Sequence, residues 1–591
     1  MKVPFGLFKP TSLILPFIST WRTTAPSESI TLPYVSYGTY SGTINWGDGN
    51  TSVNSFANAT HTYVTAGNYV ITITGTITGW LFSNSLSAPK ILSVSQWGTL
   101  KISNTGNQFA GCANLNLSTV SDTLNLIGIT NFAALFQNCG SLTSVNNINS
   151  WNTSNIIDMN GMFQNCLAFN STLTFNTVSV TNMLNMFAGC NAFNSTISFN
   201  TGNVTAMNGM FYNCFVFNKP ISFDTIKVTT MNGMFWNCNQ FNSTVTFTNT
   251  SLVTDMGGMF RYCYAFNKPI SFDTAKVTTM ASMFRDAQAF NQTISFDTVK
   301  VTNMNQMFWN CLAFNSTITF TNTSLVTDMA NMFYSCSLFN KPISFNTQNV
   351  ITLAGMFQNC PQFNQTISFN TANVTNMSSM FQGCYTFNST VTFTNTSLVT
   401  DMSYMFFGCA LFNKTLAFNT FSVSNMYSMF YNCNAFNGDI SSFNTSNVIN
   451  MSSMFQNCSN FNQPLLFNTQ NVINMGQMFL GCTNFNQPLS FNTANVTSMT
   501  GLFRFADAFD QNIGAWNVSN VNDFTNFMST KTPANFSTAN LDAIYNGWST
   551  RPVIASRTIT FGTAKYTAGG AAGKAILTSA PNNWAITDGG I

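Results

Sequence analysis

A pattern of 24 or 25 residues recurs through most of this 591-residue chain, and it restricts the fold more than any other feature of the sequence. One copy, NVTNMSSMFQGCYTFNSTVTF, occupies residues 373–393. Four apolar residues in it stand at i, i+3, i+4 and i+7: Met377, Met380, Phe381 and Cys384. This spacing predicts one face of a short helix. Val391-Thr392-Phe393 then alternates apolar and polar residues, which predicts a short strand.

A single copy is too short to bury its own apolar face, so the copies are expected to stack on one another. The Phe at the centre of each predicted helix, here called the coil Phe, recurs throughout: Phe163, Phe187, Phe211, Phe235, Phe260, Phe284, Phe308, Phe333, Phe357, Phe381, Phe406, Phe430, Phe455, Phe479 and Phe503. Looser copies surround Phe109 and Phe136. The sequence therefore predicts a leucine-rich-repeat-like solenoid of about 17 coils, each with a short helix and a short parallel strand.

Fifteen cysteines follow the same period, three residues after most coil Phe residues, and Ala287 and Ala506 fill two of the positions. A residue that alternates with Ala packs as a small apolar group, so we expect buried free thiols and no disulfides. The repeated Asn of the turn, for example Asn388, is expected to satisfy backbone groups because its amide both donates and accepts.

The sequence also has a longer repeat, which spans three of the 24- or 25-residue copies. The string TNTSLVTDM occurs at 248–256, 321–329 and 394–402, with an offset of 73 residues each time. The middle of the chain is therefore interpreted as blocks of three coils that were copied.

The two ends differ from the repeat. We assign residues 1–26 to a leader segment, 27–85 to a β domain, 86–528 to the solenoid and 529–591 to a C-terminal α+β cap. Prolines interrupt the apolar N-terminus, so the leader is expected to belong to the mature protein and not to be a signal peptide. In the cap, a helix beginning near Leu541 with Asn540 or Thr538 as its N-cap, a strand in RTITFG and a helix in AAGKAILTS are expected to cover the last hydrophobic layer.

Residues 27–80 carry three motifs: Trp46-Gly47-Asp48-Gly49, His61-Thr62-Tyr63 and Gly67-Asn68-Tyr69-Val70. In this order they resemble a PKD-type β-sandwich, and that resemblance implies a spacer or interaction module. His61 is then expected to be a structural partner of the Trp46–Gly49 turn and not a catalyst.

The MxxMFxxCxxFN coil, the PKD-like region and the WAITDGG ending together resemble the BspA-like leucine-rich-repeat surface proteins over nearly the whole chain. The resemblance implies an extracellular or surface-exposed protein that adheres to a protein or glycan of a host or matrix. Members also occur in phages and large viruses. Because the sequence shows no clear export signal or anchor, a virion component is one possibility, and a purely structural virion decoration or fibre, in contact with other virion proteins or copies of itself, is the alternative.

Composition excludes several other classes of function. Only 6% of residues are charged, the net charge is +3, and no Lys/Arg run provides a nucleic-acid surface. No apolar run is long enough for membrane insertion. His61 and Glu28 are the only residues of their types, and Asp158, Asp255, Asp328 and Asp401 stand where helix N-termini are predicted. We therefore expect no enzyme, no catalytic residues, no metal site and no cofactor.

The position directly after the coil Phe lies outside the predicted inward face, and in the middle coils it holds aromatic residues and arginines. These candidate binding-strip residues are Tyr212, Trp236, Arg261, Arg285, Trp309 and Tyr334. Aromatic residues and Arg are enriched in binding hot spots, and aromatic faces suit sugar rings. Two alternatives are considered. In the first, the strip residues only shield the Phe core or face another copy of the chain; in the second, Thr rows such as STVTF bind ice or mineral.

Overall fold

The computed structural model describes residues 15–591, and the chain forms two compact units, Met1–Thr274 and Ala275–Ile591. The residues of the leader before position 15 lie outside the described part. The 24-residue repeat occurs in both units, and each unit is described by itself.

The first unit opens with strands that form small sheets. Their bounds are Phe17–Thr23 (β1), Glu28–Thr31 (β2), Thr43–Asn45 (β3), Thr51–Val53 (β4), Thr60–Tyr63 (β5), Gly67–Ile73 (β6), Ile77–Trp80 (β7), Ile91–Gln96 (β8) and Leu100–Ile102 (β9). A five-stranded sheet has the order β4-β3-β6-β1-β8, and β2 pairs with β5. β1 pairs antiparallel with β6 and β8, so the sheet includes residues that the sequence places in the leader.

The parallel arrangement of the repeat is already present at β7, which pairs in parallel with β9. The N–H of Phe82 donates to the carbonyl of Gln108 at 3.0 Å, so the chain around Phe82 stacks on the coil of Phe109. Within residues 15–591 the two units together hold about 21 coils of about 24 residues. This number exceeds the predicted 17 because coil-like stacking begins before Phe109 and continues into the C-terminal cap.

Short parallel strands occur where the alternation predicts them. They are Ile221–Phe223 (β10) and Val245–Phe247 (β11) in the first unit, and Ile294–Phe296 (β12), Ile318–Phe320 (β13), Ile367–Phe369 (β14) and Val391–Phe393 (β15) in the second. They pair as β10-β11, β12-β13 and β14-β15, in register. Successive pairs begin 73 residues apart, at Ile221, Ile294 and Ile367, so the three-coil period of the sequence reappears in the strand pairing.

The predicted short helix of each coil is wrong; the segment is a series of tight turns. In the coil of Phe381, the N–H groups of Met380, Gln382 and Cys384 donate to carbonyls three residues back. The alternate N–H groups donate instead to the next coil, as Phe381 does to Met405 at 2.9 Å. The reason lies in the backbone: the residues two before and two after the coil Phe, Ser379 and Gly383, have φ of 57° and 73°, which no right-handed helix accommodates.

The core of each unit is a stack of rings. Neighbouring coil Phe rings such as Phe211 and Phe235 are 5.5 Å apart and nearly parallel, and Phe381 lies 5.7 Å from Phe357. A second Phe of each coil, for example Phe387, packs 4.5 Å from the coil Phe of its own coil. All fifteen cysteines are buried free thiols.

Two polar ladders support this core. The N–H of Asn388 donates to Oδ1 of Asn364 at 2.8 Å, so the turn Asn satisfies a backbone group of the next coil, as predicted. A buried Thr that follows the second half of each coil forms another ladder, which the repeat pattern alone does not predict. For example, Oγ1 of Thr177 donates to the carbonyl of Asn200 at 2.8 Å. Because these bonds recur from coil to coil, few buried polar groups are left without a partner.

The C-terminal region contains a helix Thr538–Trp548 (α1), a strand Thr558–Thr560 (β16), a helix Ala568–Thr578 (α2) and a strand Ala585–Thr587 (β17). Both predicted helices and the RTITFG strand are present. The N-cap of α1 is Ser537, however, and not Asn540 or Thr538. A parallel bridge joins Phe524 to Ile559, and β16 pairs in parallel with β17. The cap therefore continues the parallel stacking of the coils to the end of the chain's second unit.

Candidate binding surface

The strip position follows a fully buried coil Phe and precedes a residue with a left-handed backbone. In the coil of Phe235, both Phe235 and Cys238 are buried, whereas Trp236 between them is half-buried. Asn237, directly after Trp236, has a φ of 62°. The strip side chain therefore lies outside the buried core, as the sequence predicts.

In the first unit the strip residue Trp236 contacts both Tyr212 and Arg261. The rings of Tyr212 and Trp236 are 5.7 Å apart. The guanidinium carbon of Arg261 lies 4.1 Å from the centre of the Trp236 ring, a cation–π contact. Gly258 makes room for this arrangement, because a Cβ at that position would lie 3.0 Å from the indole.

In the second unit the strip residues Arg285, Trp309 and Tyr334 form a comparable group. The Arg285 guanidinium carbon lies 4.8 Å from the Trp309 ring centre, and the rings of Trp309 and Tyr334 are stacked at 3.8 Å. Arg285 also forms an ion pair with Asp286, with Nε and Oδ2 3.3 Å apart, and donates to Gln306. The charge of this arginine is therefore compensated within its own unit.

The exposed parts of these groups limit what they can bind. Tyr212 exposes 37% of its surface, whereas the other strip residues are half-buried, and one face of each Trp is covered by an arginine. A ligand would therefore meet Tyr212, ring edges and guanidinium N–H groups, and not two open indole faces. Such a surface offers hydrogen-bond donors beside apolar rings.

Several aromatic residues of this surface were not among the sequence candidates. Tyr262 lies 6.4 Å from Trp236, and Tyr264 lies 6.2 Å from Tyr262, in the first unit. In the second unit Phe407 and Tyr431 stack at 4.5 Å. Phe407 and Tyr431 also follow a coil Phe directly, so the same positional rule, applied to every coil, would have found them. Tyr262 lies two residues after its coil Phe and has a left-handed backbone, with a φ of 58°. Its place on the surface could therefore be found only from the backbone conformation.

The Asp residues considered for catalysis stabilise turns. Oδ1 of Asp401 accepts from the N–H of Ser403 at 2.8 Å, and Asp158, Asp255 and Asp328 accept in the same way two residues on. These Asp side chains therefore cap a turn at the positions where the sequence predicts helix N-termini. His61 bonds Asp48 at 2.8 Å and stacks on Trp46 at 4.9 Å, which confirms it as a structural partner of the Trp46–Gly49 turn.

Two further features concern metal binding and membrane crossing within residues 15–591. No group of three or more His, Cys, Asp or Glu side chains there could hold a metal ion. In the same part of the chain, neither helix is long and apolar enough to cross a membrane.

The sequence matches the family described as Mycoplasma protein of unknown function, DUF285, in overlapping segments at 80–198, 173–247, 222–319, 243–343, 313–396, 387–467 and 465–567. The chain belongs to this family. The matched segments include every residue of the strip and most of the cap, so the aromatic groups are part of the family's repeat region.

No curated protein sequence matches the chain. Among solved structures, the crystal structure of a TLR13–ssRNA13 complex is similar at 10% identity over 79% of this chain and 80% of that chain, with a TM-score of 0.18. A likeness at this TM-score supports no conclusion about fold or ligand, and the assignment of a solenoid depends on the stacked coils themselves.

Proposed function

We propose that this DUF285 protein is a non-enzymatic recognition or adhesion protein, exposed on the surface of a cell or a virus particle, that binds a protein or glycan through the strip. The observation that carries the proposal is the position of the aromatic–arginine groups. Tyr212, Trp236 and Arg261 lie outside the buried Phe core, and Trp236 contacts both of the others. Aromatic residues and Arg are the types that dominate the energetics of binding surfaces.

The repeat architecture supports a role in recognition. A solenoid offers an extended surface whose residues vary from coil to coil while the core stays constant. The strip follows this rule, because the same position holds Tyr212, Trp236 and Arg261 in one unit and Gln358 and Gln382 in the other. The resemblance to BspA-like surface proteins points to the same class of function.

The test is the double substitution Trp236→Gln and Trp309→Gln in the full chain, compared with Gln358→Ala and Gln382→Ala at the same coil position. We expect the tryptophan variant to lose attachment to cells or immobilised matrix while its melting temperature stays within a few degrees of the parent. The glutamine variant should keep both properties.

A different result would favour the structural alternative. If the tryptophan variant melts much earlier and still attaches, the strip is packing. If the parent attaches to no cell or matrix but assembles with copies of itself or with other particle proteins, a virion decoration or fibre is the better interpretation.

A further inference from the structure

The two arginines of the strip differ in how their charge is compensated. Arg285 has a carboxylate partner, Asp286, at 3.3 Å. Arg261 has none: within residues 15–591, no carboxylate lies within ion-pair distance of its guanidinium. The nearest acidic residue in its own coil sequence, Asp255, accepts from the N–H of Gly257 at 2.8 Å and from the side chain of Asn232 at 3.1 Å.

The surroundings hold the Arg261 guanidinium in one place without satisfying it. One face lies 4.1 Å from the centre of Trp236, and the Tyr262 ring centre is 5.0 Å away. One of its terminal nitrogens, Nη2, donates to the hydroxyl of Tyr262 at 3.3 Å. A guanidinium has five N–H donors, so most of its donor capacity is unused by the protein.

We propose that Arg261 and Tyr262 form a subsite for the carboxylate of an acidic sugar, which rests on the proposed function of the strip as a binding surface. A planar guanidinium that is oriented by stacking presents two parallel N–H groups to a carboxylate. The hydroxyl of Tyr262, 3.3 Å from Nη2, is positioned to donate to the same ligand. The exposed ring of Tyr212 supplies an apolar face for the sugar ring on the other side of Trp236.

A sugar fits this site better than an acidic peptide does. Arg261 is the one positive charge among Tyr212, Trp236, Arg261 and Tyr262, and its guanidinium carbon lies 4.1 Å from the Trp236 ring centre and 5.0 Å from the Tyr262 ring centre. An acidic peptide would favour several basic side chains in succession. A single carboxylate on an otherwise uncharged ring matches one guanidinium flanked by aromatic residues.

The experiment measures binding of the full chain to uronic-acid and sialic-acid oligosaccharides and to their methyl-esterified forms, which lack only the charge. We expect the parent to prefer the free acids roughly tenfold or more, the range that a charged, bidentate contact supplies. Arg261→Gln should remove that preference, and Arg261→Lys should recover it only in part because Lys lacks the planar fork. Arg557→Gln, a control that removes one positive charge from the C-terminal cap and not from the strip, should keep the preference.

Three outcomes would overturn the subsite: equal binding of acids and esters by the parent, an unchanged preference in Arg261→Gln, or binding of an acidic peptide in place of every acidic sugar. If the parent attaches to cells through the tryptophans but binds no acidic sugar, the subsite fails and the proposed function stands. If Arg261→Gln melts earlier than the parent, the Arg261→Lys variant, which retains the charge and the aliphatic stem, replaces it in the test. A preference for free acids equal to that of the parent would then overturn the subsite.

Discussion

At the scale of single residues, the cysteine position combines a packing role with a hydrogen bond. Sγ of Cys384 donates to the carbonyl of Phe357 in the preceding coil at 3.1 Å, and the same bond recurs along both units. Burial raises the pKa of the thiols from Cys139 onward, for example those of Cys384 and Cys409. They are therefore protonated and unreactive in the folded chain.

Thiol counting tests this arrangement. Under denaturing, non-reducing conditions we expect a thiol reagent to label close to fifteen cysteines, and in the native protein almost none, because every cysteine is buried. A denatured count of only a few thiols would mean that bridges form, and it would contradict the packing role.

The coil Phe is the other residue on which the core depends. Phe381 is fully buried and contacts Phe357, Phe387 and Phe406 at ring distances of 4.5–5.7 Å. Phe381→Ala leaves a large cavity in the stack, so the free energy of unfolding should fall by about 3–5 kcal/mol. Urea unfolding measures it, with Phe421→Ala as the control because Phe421 is 53% exposed. Equal losses for the two variants would show that Phe381 is not a core residue.

At the scale of the element, the sequence predicted which side chains face inward but not the backbone that carries them. Met377, Phe381 and Cys384 are all buried, as the i, i+4, i+7 spacing requires. That spacing does not distinguish a helix from consecutive turns, because both return the chain to the same face every three or four residues. What distinguishes them is the frequent Gly, Asn or Ser at the positions two before and two after the coil Phe. Ser379 and Gly383 occupy these positions, where the backbone has a left-handed φ.

The left-handed positions give a prediction about Gly408, which has a φ of 74°. A Cβ there would meet no atom closer than 3.6 Å, so conformation alone decides the cost of a substitution. Gly408→Asn should be nearly neutral, because Asn432 and Asn457 occupy the same position with φ near 60°. Gly408→Val should lower the free energy of unfolding by about 1–2 kcal/mol. Thermal or urea unfolding of the pair checks this, and a Val variant as stable as the Asn variant would contradict it.

The candidate surface was predictable in part for the same reason. The position after the coil Phe follows from periodicity, so six strip residues could be named, and the geometry brings them together in two groups of three. The pairing of Arg285 with Asp286, and its absence at Arg261, could not be predicted. Both depend on how the side chains stack, and residues such as Tyr262 enter the surface only through the local backbone.

At the scale of the whole molecule, repetition multiplies small effects. A bond between neighbouring coils, such as the one from Thr177 to Asn200, contributes about 1 kcal/mol. Because the bond recurs in most coils, the sum decides whether the stack forms at all. The same reasoning applies to the pH dependence of stability. A buried cysteine thiol recurs in most coils, so the effects of the individual thiols on the free energy of unfolding add up.

The buried thiols therefore predict marked loss of stability at alkaline pH. A raised pKa in the folded state means that each thiol stabilises the fold fully below its unfolded pKa of 9.0 and ceases to do so as the pH rises above that value. Lys531 acts in the opposite direction, because burial lowers its pKa to about 8 and the fold gains stability between pH 8 and 10.5, but it is one group against the many thiols of the ladder. The net stability should fall steeply above pH 9.

Urea unfolding between pH 8 and 10.5, in a phosphine reductant that keeps the thiols free, measures this dependence. In Cys409→Ala the slope should decrease by up to about 1.4 kcal/mol per pH unit, the contribution of one proton. The substitution should be tolerated near neutral pH, because Ala287 and Ala506 already occupy the same position in other coils. A control, Ser446→Ala, removes a hydroxyl that does not titrate in this range and should leave the slope unchanged. A parent protein whose stability stays constant from pH 8 to 10.5 would mean that the thiols are not buried in the folded chain, since burial alone requires the unfolded state to release more protons as the pH rises.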